Sequence, residues 1–200
     1  MYFYRFWRCV LGFFGRRLHR LEAEGLENLP QTGRAILAST HTHAIDPMLH
    51  AYLIKRDMHF MAKRELFKNK LFSGILGKLG AIPVDRGHIN RSSVMSTKAV
   101  LENGGLLLIF PEGTRSKSGE LGVFKSGAAT FALQTGSPII PSAIIAPEGV
   151  GFFKKVKIIY GKALSPAELG ETPATSATVR AATARLRERI AKLAAEGEAE

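Results

Sequence analysis

The stretch GLLLIFPEGTRS, Gly105–Ser116, decides the fold class. It opens as a short unbroken apolar run and turns abruptly into a polar loop carrying Pro111, Gly113 and Arg115. A strand with one solvated face alternates apolar and polar residues, whereas a strand covered on both faces is apolar throughout. The run therefore predicts a buried strand that delivers a glycine-containing loop at its C-terminal end.

The same pattern recurs in RAILAST (Arg34 to Thr40), MHFMA (Met58 to Ala62), GAIPV (Gly80 to Val84), PIIPSAIIA (Pro138 to Ala146) and VKIIY (Val156 to Tyr160). Helix candidates lie between these runs, near Met48 to Lys55, Glu65 to Leu79, Asn90 to Glu102 and Phe124 to Gln134, the last stopped by Thr135, Gly136 and Pro138. Strands alternating with helices make the class α/β, with a largely parallel central sheet flanked by helices. Val179, Ala182, Leu186, Ile190 and Leu193 follow at helical spacing, and the chain is then expected to fray into a solvated acidic tail. The organisation expected is an N-terminal amphipathic segment over 1–24, a catalytic domain over 25–170, and a C-terminal helix and tail over 171–200.

Charge narrows the partner. The 200 residues carry 28 Lys and Arg against 17 Asp and Glu, a net +11, which favours an anionic partner. A single Cys9 excludes an internal disulfide and any cysteine metal cluster, and fits a reducing compartment. Before Glu22 there is no acid, while Arg5, Arg8, Arg16, Arg17 and Arg20 interleave with Tyr2, Phe3, Tyr4, Phe6, Trp7, Phe13 and Phe14. On a helix from Tyr2 to Leu21, Phe3, Phe6, Trp7, Val10, Phe14 and Leu21 share one stripe opposite Arg5, Arg8, Arg16, His19 and Arg20, with Arg17 the exception. The uncharged run Cys9 to Gly15 falls far short of the roughly 20 residues that span a bilayer. The segment is thus expected to lie in the interface of an anionic membrane, or else to pack as a first helix on the protein's own core. Arginines bracket its apolar run, unlike the order of a signal peptide. A second basic amphipathic stretch, Lys63 to Gly80, sets Lys68, Lys70 and Lys78 beside Leu66, Phe67, Leu71, Phe72, Ile75 and Leu79; it either extends that membrane face or is a crossover helix with its lysines in water.

STHTHAIDP, residues 39–47, admits three readings. A metal site on His41 and His43 lacks the spacing of metallohydrolases, since Asp46 falls one residue late, Pro47 stands where another ligand is wanted, and His19, His50, His59 and His88 are scattered. As a helix start, Asp46 would be the N-cap and Pro47 the first helical residue. As a catalytic pair, His41 and Asp46 can meet only if the backbone turns between them, and Asp46 would then orient His41 as a general base. Capping and orienting are compatible, because a carboxylate has two oxygens. Arg115 and Arg86, each on a loop just past a strand, suit a phosphate.

Taken in order, H-x4-D at His41 to Asp46, IPVDR at Ile82 to Arg86, FPEGTRS at Phe110 to Ser116 and PIIP at Pro138 to Pro141 resemble the four blocks of the glycerolipid acyltransferases, most closely the bacterial 1-acyl-glycerol-3-phosphate (lysophosphatidic acid) acyltransferases. The resemblance runs from about Gly25 to Tyr160 and takes in FMAKRELF and FKSGAATFALQTG. It implies transfer of a fatty acyl group from the thioester of acyl-CoA or acyl carrier protein to the hydroxyl of a lysophosphatidic acid, yielding phosphatidic acid, with no cofactor, no metal and no nucleic acid. It implies His41 as base and Asp46 as its orienter, with Lys63, Arg86, Glu112, Gly113, Thr114 and Arg115 lining the phosphate and glycerol pocket. It also implies peripheral or monotopic attachment to the cytoplasmic face of a bacterial cell membrane. Two departures stand out: Gly80-Ala81 replaces the aromatic usual before IPV, and His43 occupies a position where the family requires no histidine. Glu112 is expected to hold an arginine, to accept from a substrate hydroxyl, or to pair with Arg115 in a turn; Arg86 and Arg115 have surface ion pairs as their alternative, and Lys63 a solvated strand end. A sister acyltransferase with another acceptor, a metallohydrolase and a non-catalytic binding module are the rival readings.

Overall fold

A computed structural model describes residues 15–85, 91–116, 120–170 and 174–199, without the side chains of residues 71 and 72. The strands are β1 (Leu21–Glu24), β2 (Ala35–Ser39), β3 (Met58–Lys63), β4 (Ala81–Val84), β5 (Leu106–Ile109), β6 (Ile139–Ile145) and β7 (Val156–Tyr160). They form one sheet in the order β1-β7-β6-β2-β5-β3-β4. Every pairing is parallel except β6 with β7, so five strands run one way and β7 and β1 run back along one edge. The helices are α1 (Asp46–Leu53), α2 (Lys70–Lys78), α3 (Arg91–Glu102), α4 (Gly127–Thr135), α5 (Pro166–Leu169) and α6 (Ser176–Glu198). The expected α/β class and largely parallel, helix-flanked sheet are observed.

The continuous apolar runs are explained by two cores, one on each face of the sheet. Along β2, Ile36 and Ala38 join Leu101 of α3, Ala128 and Ala132 of α4, and Ala182, Leu186 and Ile190 of α6. The intervening Ala35 and Leu37 join Leu49 and Leu53 of α1 on the opposite face. Successive side chains alternate between faces, so a strand roofed on both sides has no solvent-facing position to offer. β6 is likewise buried at all seven positions.

Three elements differ from expectation. β1 falls where the N-terminal helix was expected to end: residues 15–18 are helical, His19 and Arg20 turn, and Leu21 opposite Val156 begins the sheet. LEAE is too short and too polar to show a strand pattern, and pairing with β7 overrides propensity. The remainder of the expected interfacial helix lies outside the described residues. At the other end, α6 does not fray after Leu193 but continues to Glu198, because Gly197 packs so closely on Ile145 and Ile159 that a Cβ would come within 2.7 Å of both. Finally, Ile45 rather than Asp46 is the N-cap of α1 and makes no side-chain capping bond. The Asp46 carboxylate is engaged elsewhere.

Gly25 shows why the β1 edge closes as it does. Its φ is +72°, and a Cβ there would meet the Tyr160 carbonyl oxygen at 2.0 Å. The backbone can turn against β7 only with a glycine.

Candidate active site

In five parallel strands the C-terminal ends collect along one edge, and loops leaving that edge are where α/β folds assemble ligand sites. Residues 40–45 leave β2 there and the Phe110–Ser116 loop leaves β5, its immediate neighbour, with Ala38 opposite Ile109. Ser39 ends the strand, and the chain turns sharply into α1.

That turn is wound around one carboxylate. Asp46 is fully buried, and its Oδ2 accepts from His41 Nδ1 at 2.8 Å, Thr42 N at 2.8 Å and His43 N at 2.9 Å. Three donors on one oxygen offset the desolvation of the charge. A carboxylate must accept, so His41 carries its proton on Nδ1 and presents the Nε2 lone pair. Nε2 makes no hydrogen bond among the described residues. The second oxygen, Oδ1, is buried without a partner, as is Thr42 Oγ1. The capping role imagined for that second oxygen is therefore not realised; Asp46 faces backwards, onto the loop that carries His41.

The FPEGTRS loop clamps His41 from the other side. Phe110 stacks on its ring, centroids 4.1 Å apart and planes 19° from parallel. Glu112 Oε1 accepts from His41 N at 3.1 Å, and Ser116 N donates to His41 O at 2.8 Å. Ring, N–H and C=O of one residue are thus each held by a different member of the loop. The side chain retains 14% of its accessible surface, so the imidazole remains reachable.

Glu112 is buried, and its other oxygen accepts from Gly122 N at 3.2 Å. This corrects the expectation that it pairs with Arg115: both carboxylate oxygens are taken by backbone amides, which fixes the loop rather than an arginine. Gly122 packs closely on it: a Cβ would lie 3.0 Å from Glu112 Oε2, and the carboxylate would have to give by a few tenths of an ångström. Gly113, Thr114 and Arg115 are exposed on the rim beside His41, and Arg115 forms no ion pair among the described residues. Gly113 has φ +69°, and the Lys125 side chain lies over it, 2.8 Å from where a Cβ would stand.

Lys63 ends β3, two strands from β2 and hence about 10 Å across the edge. Its ammonium pairs with Glu65 at 3.0 Å. Next to it, Arg64 Nε donates to Asp85 at 2.7 Å. Arg86 lies outside the described residues. His43 is exposed, and among the described residues no group of three or more His, Cys, Asp or Glu side chains gathers as metal ligands.

Behind the site a buried polar chain runs from Ser39 Oγ to His50 Nε2 at 3.0 Å and from His50 Nδ1 to Tyr160 Oη at 3.0 Å. Burial pushes the His50 pKa down to about 4, the Asp46 charge opposing the fall, so His50 is neutral at physiological pH. Burial also pushes the Tyr160 hydroxyl up.

Residues 20–145 match the family described as Acyltransferase. The chain belongs to this acyltransferase family. Over 171 residues it is 36% identical to the 1-acyl-sn-glycerol-3-phosphate acyltransferase of Bacillus subtilis, with 84% of each chain covered. It is 34% identical over 143 residues to the enzyme of the same name from Borreliella burgdorferi, covering 70% of this chain and 56% of that one. In fold, this acyltransferase is similar to the crystal structure of the 1-acyl-sn-glycerophosphate (LPA) acyltransferase PlsC from Thermotoga maritima, with a TM-score of 0.73, 23% identity, and coverage of 95% of this chain and 80% of that one. The family match spans His41, Asp46, Glu112 and Arg115 together.

Several contributors to the acyltransferase site were not foreseen. Phe110 was read as a strand end, Ser116 acts through its backbone, His50 was one of the scattered histidines, and Lys125 was noted only inside a matched block. Only the apolar residue before PEGTRS carried a prior signal, because a strand end facing a turn predicts contact with whatever that turn presents.

Proposed function

We propose that this acyltransferase moves a fatty acyl group from a thioester, acyl-CoA or acyl carrier protein, to the free hydroxyl of a 1-acyl-glycerol-3-phosphate, producing phosphatidic acid at a membrane surface. One observation carries the reading: a buried carboxylate holds His41 Nδ1 at 2.8 Å and leaves Nε2 unbonded on the sheet edge where the arginine loop emerges. The relatives named as 1-acyl-sn-glycerol-3-phosphate acyltransferases support the choice of acceptor.

His41 Nε2 takes the proton of the acceptor hydroxyl as the oxygen attacks the thioester carbon, and Asp46 stabilises the imidazolium that forms. When the tetrahedral intermediate collapses, the C–S bond breaks and the imidazolium returns its proton to the leaving thiolate. His41 ends neutral, so no protein nucleophile is consumed. Arg115 engages the acceptor phosphate, with Gly113 and Thr114 beside it on the rim and Lys63 further along the edge; Arg86 is a further phosphate contact in this reading. Glu112 acts on the loop rather than on the phosphate, which accounts for a carboxylate so near an anion site. The part of the N-terminal segment that precedes β1 serves as the interfacial anchor on the cytoplasmic face of the membrane. Among the described residues no helix is long and apolar enough to cross a bilayer.

An acceptor panel tests the assignment. With one long-chain acyl-CoA, lysophosphatidic acid should yield phosphatidic acid by mass spectrometry, while glycerol 3-phosphate and neutral lysolipids should yield little product. Preferential acylation of glycerol 3-phosphate would move the assignment to a sister reaction.

A further inference from the structure

The loop between β6 and β7 carries GVGFFKKV, residues 149–156, which neither the site nor the family match explains. Phe152 and Phe153 are 68% and 72% exposed, adjacent large apolar side chains left in water. Phe153 has φ +63°, a left-handed conformation uncommon for a bulky residue. It is held there by the rest of the chain: Phe153 N donates to Leu18 O at 2.6 Å, His19 Nδ1 donates to Gly151 O at 3.0 Å, and the His19 ring lies 5.6 Å from that of Phe152. Strain maintained to keep two phenylalanines outward calls for a use.

Topology says where they point. The loop leaves the C-terminal end of β6, which is parallel to β2, so it stands on the same edge of the sheet as His41. Because β1 runs with β7 and Leu21 faces Val156, residues 15–20 reach the sheet at that edge too. Two further exposed apolar residues, Leu66 after β3 and Val123 after β5, leave the same edge. Around the phenylalanines the exposed charges are mainly positive, with Arg16, Arg17, Arg20, Lys154 and Lys155. Glu22 pairs with Lys155 at 3.1 Å, both side chains more than half exposed, and such a pair is weak enough to yield to a lipid phosphate.

We propose that the β6–β7 loop is a second lipid anchor, Phe152 and Phe153 inserting into the headgroup–acyl boundary of an anionic phospholipid surface while the flanking cations remain at the phosphates. Its hydrogen bonds to Leu18 and His19 join it to the N-terminal segment, so both anchors seat the His41 edge against the bilayer. The inference rests on the reading that the substrate is a lipid drawn from a membrane. It goes beyond that reading by assigning contact residues outside the N-terminal segment.

The full chain carrying Trp7→Phe and Phe152→Trp, with its one tryptophan in the loop, is mixed with vesicles of phosphatidylcholine and phosphatidylglycerol, with and without bromine on the acyl chains. Insertion predicts a blue-shifted emission that brominated lipid quenches. In a separate flotation assay, Phe152→Ser with Phe153→Ser should lower vesicle partitioning roughly tenfold or more, since two large apolar side chains no longer leave water. The same variant should keep its rate of thiol release in detergent micelles, which shows that it is folded and that acyl transfer stands independently. Emission unmoved by vesicles that nonetheless float the protein would overturn the proposal, and so would no flotation at all. A dimer that the serine pair converts to monomer with vesicle binding unchanged would assign the patch to a second copy of the chain and refute the anchor.

Discussion

Lowering the pH should unfold this acyltransferase through a residue that takes no part in catalysis. His50 sits at zero exposure between Ser39 and Tyr160, with a pKa of about 4 against an ordinary 6.5. The folded protein therefore resists a proton that the unfolded chain accepts. Between about pH 6.5 and pH 4 the unfolded state binds more protons, so stability is complete above that window and falls as pH drops through it. A shift of that size from 6.5 to about 4 corresponds to roughly 3 kcal/mol at the acid end. For a chain of this length that is a fall of about 5–10 °C in Tm. Circular dichroism melts of wild type and His50→Gln in one detergent, at about pH 7.5 and pH 4.5, isolate the effect. The variant should start less stable by about 1–3 kcal/mol, because glutamine cannot match both hydrogen bonds. It should then lose less than wild type on acidification. Because Asp46 opposes the shift, Asp46→Asn should depress the His50 pKa further and steepen the acid loss. Equal acid losses in wild type and His50→Gln would refute the reasoning, since another group would then be carrying the proton.

Other perturbations separate the parts of the site. Asp46→Asn should cut kcat by roughly 10³–10⁴, the scale on which a carboxylate that fixes the histidine tautomer acts, with vesicle binding unchanged. Arg115→Ala should raise the acceptor KM by about tenfold or more with kcat largely kept, the pattern of a lost charge-assisted contact; an unchanged KM counts against a phosphate there. Phe110→Ala should lower kcat by about tenfold through loss of the stack on His41, while Phe110→Tyr, which keeps the ring, should retain most activity. Gly25→Ala forces a Cβ against the Tyr160 carbonyl and should cost about 3 kcal/mol or more, read as a lower denaturation midpoint.

The sequence made the architecture legible wherever a strand is roofed on both faces. Leu106 to Ile109 is apolar throughout and Ile139 to Ile145 carries one polar residue, the buried Ser142, and each strand appears within a residue or two of its expected limits. LEAE at β1 carried no such signal, because a short edge strand draws its stability from Val156 to Ile159 rather than from its own residues. The pairing of His41 with Asp46 was one of three readings that the spacing allowed, and the resemblance to the acyltransferases favoured it. The partners of the Asp46 carboxylate were not: the amides of Thr42 and His43 are backbone groups, and their direction depends on a turn geometry that no side chain announces. Glu112 was misassigned for a similar reason. A glutamate two residues before a threonine and three before an arginine suggests an ion pair, yet burial beside the His41 and Gly122 amides gave it backbone donors instead.

We propose His41 Nε2 as the base that activates a lipid hydroxyl. Thiol release from a long-chain acyl-CoA in the presence of lysophosphatidic acid, measured for wild type and for His41→Ala in the same detergent, tests it most directly. Steady, acceptor-dependent release is expected with wild type, and release indistinguishable from background with His41→Ala, the variant melting within a few degrees of wild type. Acceptor-dependent release by folded His41→Ala at a rate close to that of wild type would contradict it.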